Sequence, residues 1–297
     1  MTRRFWQELP AAVRAAIEYE TGPVTATEIP SAGRNSDFSA TLHTATGLVF
    51  CKGIADAAGS RGRMHRHEGA INPWLPPTVA PHLRWRAEAE GWLLLGFDHV
   101  HGRHAELSPN SPDLTAVATT VNLLVDDLSH CPADAPRLAD QWHRLAAWRR
   151  LAKLPDAAFD DWTTDHLDEF AEWESRAIEL ADGDSLVHTD LHSYNILVDA
   201  DRAKVIDWAW SRTGAAAVDV AFLVARLIAA GHTPEAAERW ADDLPVWHAT
   251  PPATRTAFAV AIWGIWAYKN LEQPRPLWDQ LMPAATAWAR HRLADTV

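Results

Sequence analysis

Apolar residues recur with two different periods along this chain, and the change between them divides it. In the first third, residues 41–54 (TLHTATGLVFCKGI) and 91–97 (GWLLLGF) read as short β-strands, with a helix expected between them over residues 61–75 (RGRMHRHEGAINPWL). Beyond residue 98 the helical period takes over. Ser111 as a cap and Pro112 at the first helical position open a segment that sets Leu114, Val117, Val121, Leu124 and Leu128 on one face. Residues 137–152, 160–181, 218–231 and 255–272 continue the helical pattern, and Thr233-Pro234-Glu235 starts a further helix. The Pro-rich pieces at 73–81 and 274–283 read as loops. The pattern predicts an α+β fold of two lobes, a small β-rich lobe over residues 1–98 and a larger helical lobe over residues 99–297, with a cleft as the natural place for a ligand.

Composition narrows the class. The 297 residues are 47% apolar, enough for a sizeable core, and the 16 tryptophans recur at helical spacing (Trp142/Trp148, Trp263/Trp266), which assigns them to that core. No stretch approaches the roughly 18 uncharged apolar residues of a membrane span. Cys51 and Cys131 lie far apart without metal-ligand spacing, so a soluble protein of the reducing cytoplasm is expected. Residues 1–98 carry 10 Lys/Arg and 10 Asp/Glu, so the whole net charge of -12 (17 basic against 29 acidic) falls after residue 98. That sign argues against nucleic acid as a partner, and leaves open both attraction of a cationic small molecule and a surface that only keeps the protein soluble.

The chemistry concentrates in residues 186–208, LVHTDLHSYNILVDADRAKVIDW. The apolar runs Ile196-Leu197-Val198 and Lys204-Val205-Ile206 flank the turn residues DADR, which predicts a hairpin centred near Asp201. Asn195 and Asp207 stand six residues either side of that centre, so an antiparallel pairing is expected to bring an amide oxygen and a carboxylate together. Such a sparse pair of hard oxygen ligands suits Mg²⁺, which fills its remaining positions with water and phosphate oxygens. Asp190 precedes the pair in a loop, where a carboxylate orients a hydroxyl and accepts its proton during phosphoryl transfer. The spacing His188-x-Asp190-x₄-Asn195, then Asp207, follows the H-R-D-x₄-N and D-F-G elements of kinases.

With HTDLHSYN at residues 188–195, the chain resembles the aminoglycoside phosphotransferase family, a branch of the protein-kinase-like fold whose catalytic segment reads H-x-D-L-H-x-x-N. Thr189 in place of the kinase Arg, Trp208-Ala209 in place of Phe-Gly, and the lack of an A-P-E element favour a small-molecule kinase over a protein kinase. The resemblance implies Mg²⁺ and ATP or GTP as phosphoryl donor. It implies that Lys52, on a strand, holds the nucleotide phosphates, with Glu68 as its helix partner. It implies adenine recognition by the peptide groups around Asp98, His99 and Val100. The phosphate-covering loop, residues 31–43, carries a single glycine, Gly33, and Asn35, Ser36 and Ser39 are its candidate donors. His192 falls where protein kinases carry a lysine close to the transferred phosphate, and a structural hydrogen bond is equally open to it. His188 is read as a brace of the catalytic loop, and Asp219 as a helix cap that ties down the loop behind the metal site.

Acidic side chains of the helical lobe bind acceptor amines in the antibiotic-modifying relatives. Here Asp160, Asp161, Asp165 and Glu169 fall on a predicted helix before the catalytic loop, with Asp165 and Glu169 four apart on one face, and Glu272 follows the late aromatic helix; a solvated helix face explains them equally well. The function expected is Mg²⁺-dependent transfer of the γ-phosphate of ATP or GTP to a hydroxyl of a small cationic molecule such as an aminoglycoside. A metabolic kinase for an amino alcohol or sugar amine is the rival of the same class. A catalytically silent nucleotide-binding module is the rival of a different class.

Overall fold

The structure is a computed structural model that describes residues 3–30, 33, 36–154 and 159–294. The strands are β1 (Val24–Glu28), β2 (Phe38–Thr44), β3 (Gly47–Ile54), β4 (Leu83–Ala89), β5 (Trp92–Asp98), β6 (Arg103–His104), β7 (Ser185–Val187), β8 (Ile196–Asp199), β9 (Arg202–Val205) and β10 (Arg212–Gly214). The helices of the first part are α1 (Ala11–Thr21) and α2 (Ser60–Ile71). Those that follow are α3 (Asp113–Leu128), α4 (Leu138–Leu145), α5 (Ala147–Leu151), α6 (Asp161–Asp165), α7 (Leu167–Leu180), α8 (Ala217–Ala229), α9 (Pro234–Asp242), α10 (Pro245–His248), α11 (Pro252–Glu272) and α12 (Leu277–Ala294). The fold is thus α+β. Among the described residues no helix is long and apolar enough to cross a membrane.

The chain forms two compact units: Met1–Ala105 with Pro132–Asp134 and Ser193–Ser211, and Glu106–Cys131 with Ala135–His192 and Arg212–Val297. In the first, five antiparallel strands run in the order β1-β2-β3-β5-β4. Strand β5 is buried along nearly its whole length and divides its apolar residues between two faces. Trp92 and Leu94 join Val13, Ile17 and Phe38 under α1, whereas Leu93, Leu95 and Phe97 form a separate cluster on the other face. The sequence reading has no counterpart for α1, β1 or β4. Strands β6, β8 and β9 make a second small sheet in this unit.

The second unit is helical apart from the β7–β10 ribbon. The helical patterns hold with local corrections. Helix α3 starts at Asp113, one residue later than expected, with Ser111 Oγ accepting from the Asp113 N–H at 3.2 Å. Thr233 caps α9 through the Ala236 N–H at 3.2 Å. Two expected single helices are broken, at Ala146 (φ 40°) and at His166 (φ -113°, ψ 12°). The first break leaves the N-terminus of α5 facing Glu174, whose carboxylate accepts from the Trp148 N–H at 2.9 Å. This is a cap supplied from another helix. The second separates Asp165 on α6 from Glu169 on α7, so the two do not share a continuous helix face.

Trp148 is fully buried and donates through Nε1 to the Val260 carbonyl at 2.8 Å. Its ring lies 4.6 Å from that of Trp263 and 4.9 Å from that of Phe170. The indole approaches so closely because residue 264 is glycine: a Cβ there would meet Trp148 Nε1 at 2.4 Å. Gly264→Ala therefore overpacks this centre and should destabilise the protein by about 1–3 kcal/mol. Chemical denaturation reads this directly, and an unchanged midpoint would refute it.

Candidate active site

Lys52 lies on β3 opposite Ser39 on β2 and Leu95 on β5, and so on the face of Leu93, Leu95 and Phe97. A lysine so placed cannot reach bulk water, and it is 9% exposed. Its Nζ instead donates to Glu68 Oε1 at 2.7 Å and to Asp207 Oδ1 at 2.9 Å, and stands 5.7 Å from the centre of the Phe97 ring. Burial pulls the Lys52 pKa down, but the charges of Asp207 and Glu68 outweigh it and leave the pKa raised. The ammonium is therefore permanently charged. Glu68, on α2, is itself buried, and its second oxygen, Oε2, has no hydrogen-bond partner among the described residues.

The hairpin carries Asp207 to this point. Strands β8 and β9 pair Ile196 with Val205 and Asp199 with Arg202 around a turn in which Ala200 has φ 54°. The register continues one step, with the Ile206 N–H donating to the Asn195 carbonyl at 2.9 Å. The centre thus lies between Ala200 and Asp201. Asn195 stands opposite Ile206, and Asp207 one residue beyond, which corrects the symmetric pairing expected from the sequence. Asp207 then turns through a left-handed conformation (φ 65°, ψ 59°), and the chain is fastened behind it by His67 of α2, whose Nε2 lies 3.0 Å from both Ser211 O and Ser211 Oγ. Glu68 and Asp207 are therefore positioned by segments bonded to each other.

One carboxylate and one amide oxygen fit a cation that keeps most of its shell for water and phosphate oxygens. Asn195 is buried, while the Asp207 side chain is 28% exposed. Among the described residues there is no group of three or more His, Cys, Asp or Glu suited to a metal.

The remaining candidates of this unit are spread more widely. Ser36 is held by His65, whose Nε2 lies 3.3 Å from Ser36 Oγ. His65 is fully buried, and burial lowers its pKa. Ser39 is a sheet residue within β2, and Asn35 falls outside the described residues. Asp98 ends β5, its N–H bonded to the His82 carbonyl at 2.9 Å and its side chain exposed. The N–H and C=O of Val100 carry no backbone hydrogen bond among the described residues.

In the second unit, β7 delivers His188, Thr189 and Asp190 in sequence. Thr189 adopts a left-handed conformation (φ 64°). Asp219, in the first turn of α8, fixes this bend: its two oxygens accept from the His188 and Thr189 N–H groups, both at 2.7 Å. The fully buried His188 then accepts from the Asp190 N–H at 3.2 Å. Burial raises the Asp219 pKa, as does the nearby Asp190.

Asp190 is left with one third of its side chain exposed and His192 Nε2 3.7 Å away. Burial works to raise its pKa, but His192, Arg226 and His188 prevail and hold it below the usual carboxylate range. Two groups near Asp190 were not singled out in the sequence. Arg226 of α8 approaches to 3.5 Å, and Lys269 of α11 interacts electrostatically with both Asp190 and Arg226. The acidic acceptor candidates are not brought to Asp190 by any described contact. Asp165 and Glu169 are exposed, Glu169 accepting from Trp173 Nε1 at 3.3 Å, and Glu272 lines an open groove with Arg150, Lys153 and Tyr268.

If the Asp219 clamp sets the loop, Asp219→Ala strips the acceptor from two N–H groups. It should cost about 1–3 kcal/mol for each one left unsatisfied. Turnover should fall with it, while Asp219→Asn, which keeps one acceptor oxygen, loses less of both. Thermal melts and steady-state rates for the pair provide the check, and equal behaviour of the two variants would contradict the clamp.

Comparison with known proteins follows the same lines. Residues 54–255 match the profile of the Phosphotransferase enzyme family (APH). No curated protein matches the sequence. A thermostable variant of aminoglycoside phosphotransferase APH(4)-Ia, in ternary complex with ADP and hygromycin B, is 16% identical, with a TM-score of 0.65 over 97% of this chain and 100% of its own. An aminoglycoside phosphotransferase from Alicyclobacillus acidocaldarius is 13% identical, with a TM-score of 0.60 over 97% and 95%. Choline kinase LicA from Streptococcus pneumoniae is 12% identical, with a TM-score of 0.62 over 95% and 98%. These likenesses establish the kinase-like fold. Since the family profile covers more than half of the sequence, the chain belongs to the Phosphotransferase enzyme family.

Proposed function

We propose that the chain is a Mg²⁺-dependent O-phosphotransferase that moves the γ-phosphoryl group of ATP or GTP to a hydroxyl of a small molecule in the cytoplasm. The observation that supports this best is the buried ammonium of Lys52, bonded at 2.7 and 2.9 Å to Glu68 and Asp207. Burying three charges together gives little net stability, so such a group is better explained by a ligand it serves. In this reading Lys52 neutralises the nucleotide's α- and β-phosphates while Glu68 fixes its direction. Asp207 and Asn195 hold Mg²⁺, which when bound neutralises charge on the phosphate oxygens. Ser36 and His192 contribute donors to the phosphates, and the peptide groups of Asp98 and Val100 recognise the base.

Asp190 orients the acceptor hydroxyl. The transfer forms a bond between the hydroxyl oxygen and the γ-phosphorus and breaks the bond from that phosphorus to the bridging oxygen. The nucleoside diphosphate leaves with the electron pair, and the hydroxyl proton passes to Asp190. A pKa held below the usual carboxylate range keeps the group ionised at neutral pH and able to accept a hydrogen bond from the hydroxyl, which makes it an orienting group before it is a base. ADP and hygromycin B are bound by one relative, and another is a choline kinase, so both antibiotic and metabolic acceptors fall within the proposal.

Two variants separate the halves of this mechanism. Asp207→Ala should abolish the Mg²⁺-dependent rise in melting temperature on adding nucleotide. Asp190→Asn should keep that rise but lose at least about two orders of magnitude in turnover. An undiminished rate in the second variant would require another base. A wild type that binds Mg-nucleotide yet consumes none with any acceptor would establish the silent module instead.

A further inference from the structure

The Asp190 side chain is partly open to solvent, and its described neighbours include cations but no further open carboxylate. Arg226 Nη2 stands 3.5 Å from Asp190 Oδ1, and its guanidinium lies over Trp266, 5.0 Å from the ring centre. Trp266 is buried, with Phe222 at 6.4 Å and Trp278 at 6.5 Å, so the guanidinium rests on an aromatic floor that holds it in place. One helical turn beyond Trp266, on the same face of α11, comes Lys269. Its side chain reaches solvent, but enough protein surrounds the ammonium for burial to lower its pKa, an effect that Arg226 adds to and Asp190 opposes. Two cations thus act on Asp190, whose carboxylate has His192 Nε2 3.7 Å away and the buried Asp219 as its acidic neighbour.

Arg226 is also under-used. A guanidinium has five N–H donors. Its contact with Asp190 is a single long one, and its Nε is buried without a hydrogen-bond partner among the described residues. A buried donor in this condition is costly unless a ligand completes it. The nearest acidic candidate on α11, Glu272, lies in the groove with Arg150 and Lys153 and so already faces cations.

We propose that the acceptor carries, besides its hydroxyl, an acidic group, a carboxylate or a phosphate, which Arg226 and Lys269 bind beside Asp190. This specificity rests on the kinase reading above and replaces the cationic acceptor suggested by the net charge of the chain. An acidic group satisfies the spare donors of Arg226 and balances Lys269, whereas an acceptor ammonium would add a third cation. Arg226, in hydrogen-bond reach of Asp190, has a second duty in positioning it, whereas Lys269 acts on Asp190 through charge alone.

The test uses the full chain with Mg-nucleotide and measures nucleoside diphosphate release with matched acceptors: hydroxy acids, their methyl esters, phosphorylated polyols, amino alcohols and aminoglycosides. An acidic arm should exceed its uncharged and cationic counterparts by about tenfold or more in kcat/KM, as expected for one charge-assisted contact. The preferred arm identifies carboxylate or phosphate. Lys269→Met should raise KM for the acid by about tenfold, with a smaller change in kcat that is the same for acid and ester, and should erase the acid's advantage over the ester. Nucleotide affinity by calorimetry should not change, which shows that the variant is folded. Preference for amino alcohols or aminoglycosides, or an unchanged KM in Lys269→Met, would overturn the acidic acceptor and leave the kinase reading intact. No turnover in any arm would overturn both.

Discussion

The arrangement of the first unit depends on one buried ammonium. Lys52 sits on a strand with sheet neighbours on either side, where an unpaired charge would be untenable, and only the two carboxylates at 2.7 and 2.9 Å make its position possible. Each partner comes from a different element. Glu68 requires α2 to cross the Leu93–Leu95–Phe97 face, and Asp207 requires the β8–β9 hairpin to end in a left-handed turn. The His67–Ser211 contacts join these two requirements, so that sheet, helix and hairpin are held in one geometry by the charge they share. Such a triad is a poor source of stability and a good source of direction.

The second unit solves a different problem with a single carboxylate. Asp219 accepts two neighbouring N–H groups and so forces the chain through a bend that a threonine would otherwise avoid. The bend leaves His188 inside and Asp190 outside. The same helix, α8, that holds Asp219 in its first turn carries Arg226 two turns later, so one element fixes both the backbone of the loop and the charge beside its carboxylate. The surroundings of Asp190 are therefore set by α8 and α11 together. A net acidic composition says little about them, because the sign that matters is that of the few groups within several ångströms.

Much of this was legible in the sequence, and the parts that were not have identifiable causes. The period-2 and period-3.6 patterns revealed β2, β3, β5, α3, α8 and α11 because each buries a regular face. The motif HTDLHSYN, with Asp207 beyond it, marked the family, since spacing within a loop and hairpin is local information. The hairpin register shifted by half a step because Ala200, a residue without turn preference, takes the left-handed position. The breaks at Ala146 and His166 likewise lack glycine or proline to announce them. Helix α1 and strand β1 bury too few residues to stand out from their neighbours. Arg226 was hidden for another reason: it is 36 residues from the aspartate it faces, and only the packing of helices brings the two together. Lys269 is hidden in the same way.

The central claim, that Glu68 and Asp207 exist to hold the Lys52 ammonium for a phosphate ligand, is tested most directly by a double-mutant cycle on Lys52 and Glu68, read both by melting temperature and by calorimetry with Mg-nucleotide. Lys52→Met alone leaves two partly buried carboxylates without their cation, and should lower the melting temperature by several degrees, as expected for a loss of about 3–5 kcal/mol. Adding Glu68→Gln should recover much of that loss, while nucleotide binding stays weakened in both. If the two substitutions were additive in stability, or if the double variant bound nucleotide as tightly as the wild type, Lys52 would not be the group around which this site is built.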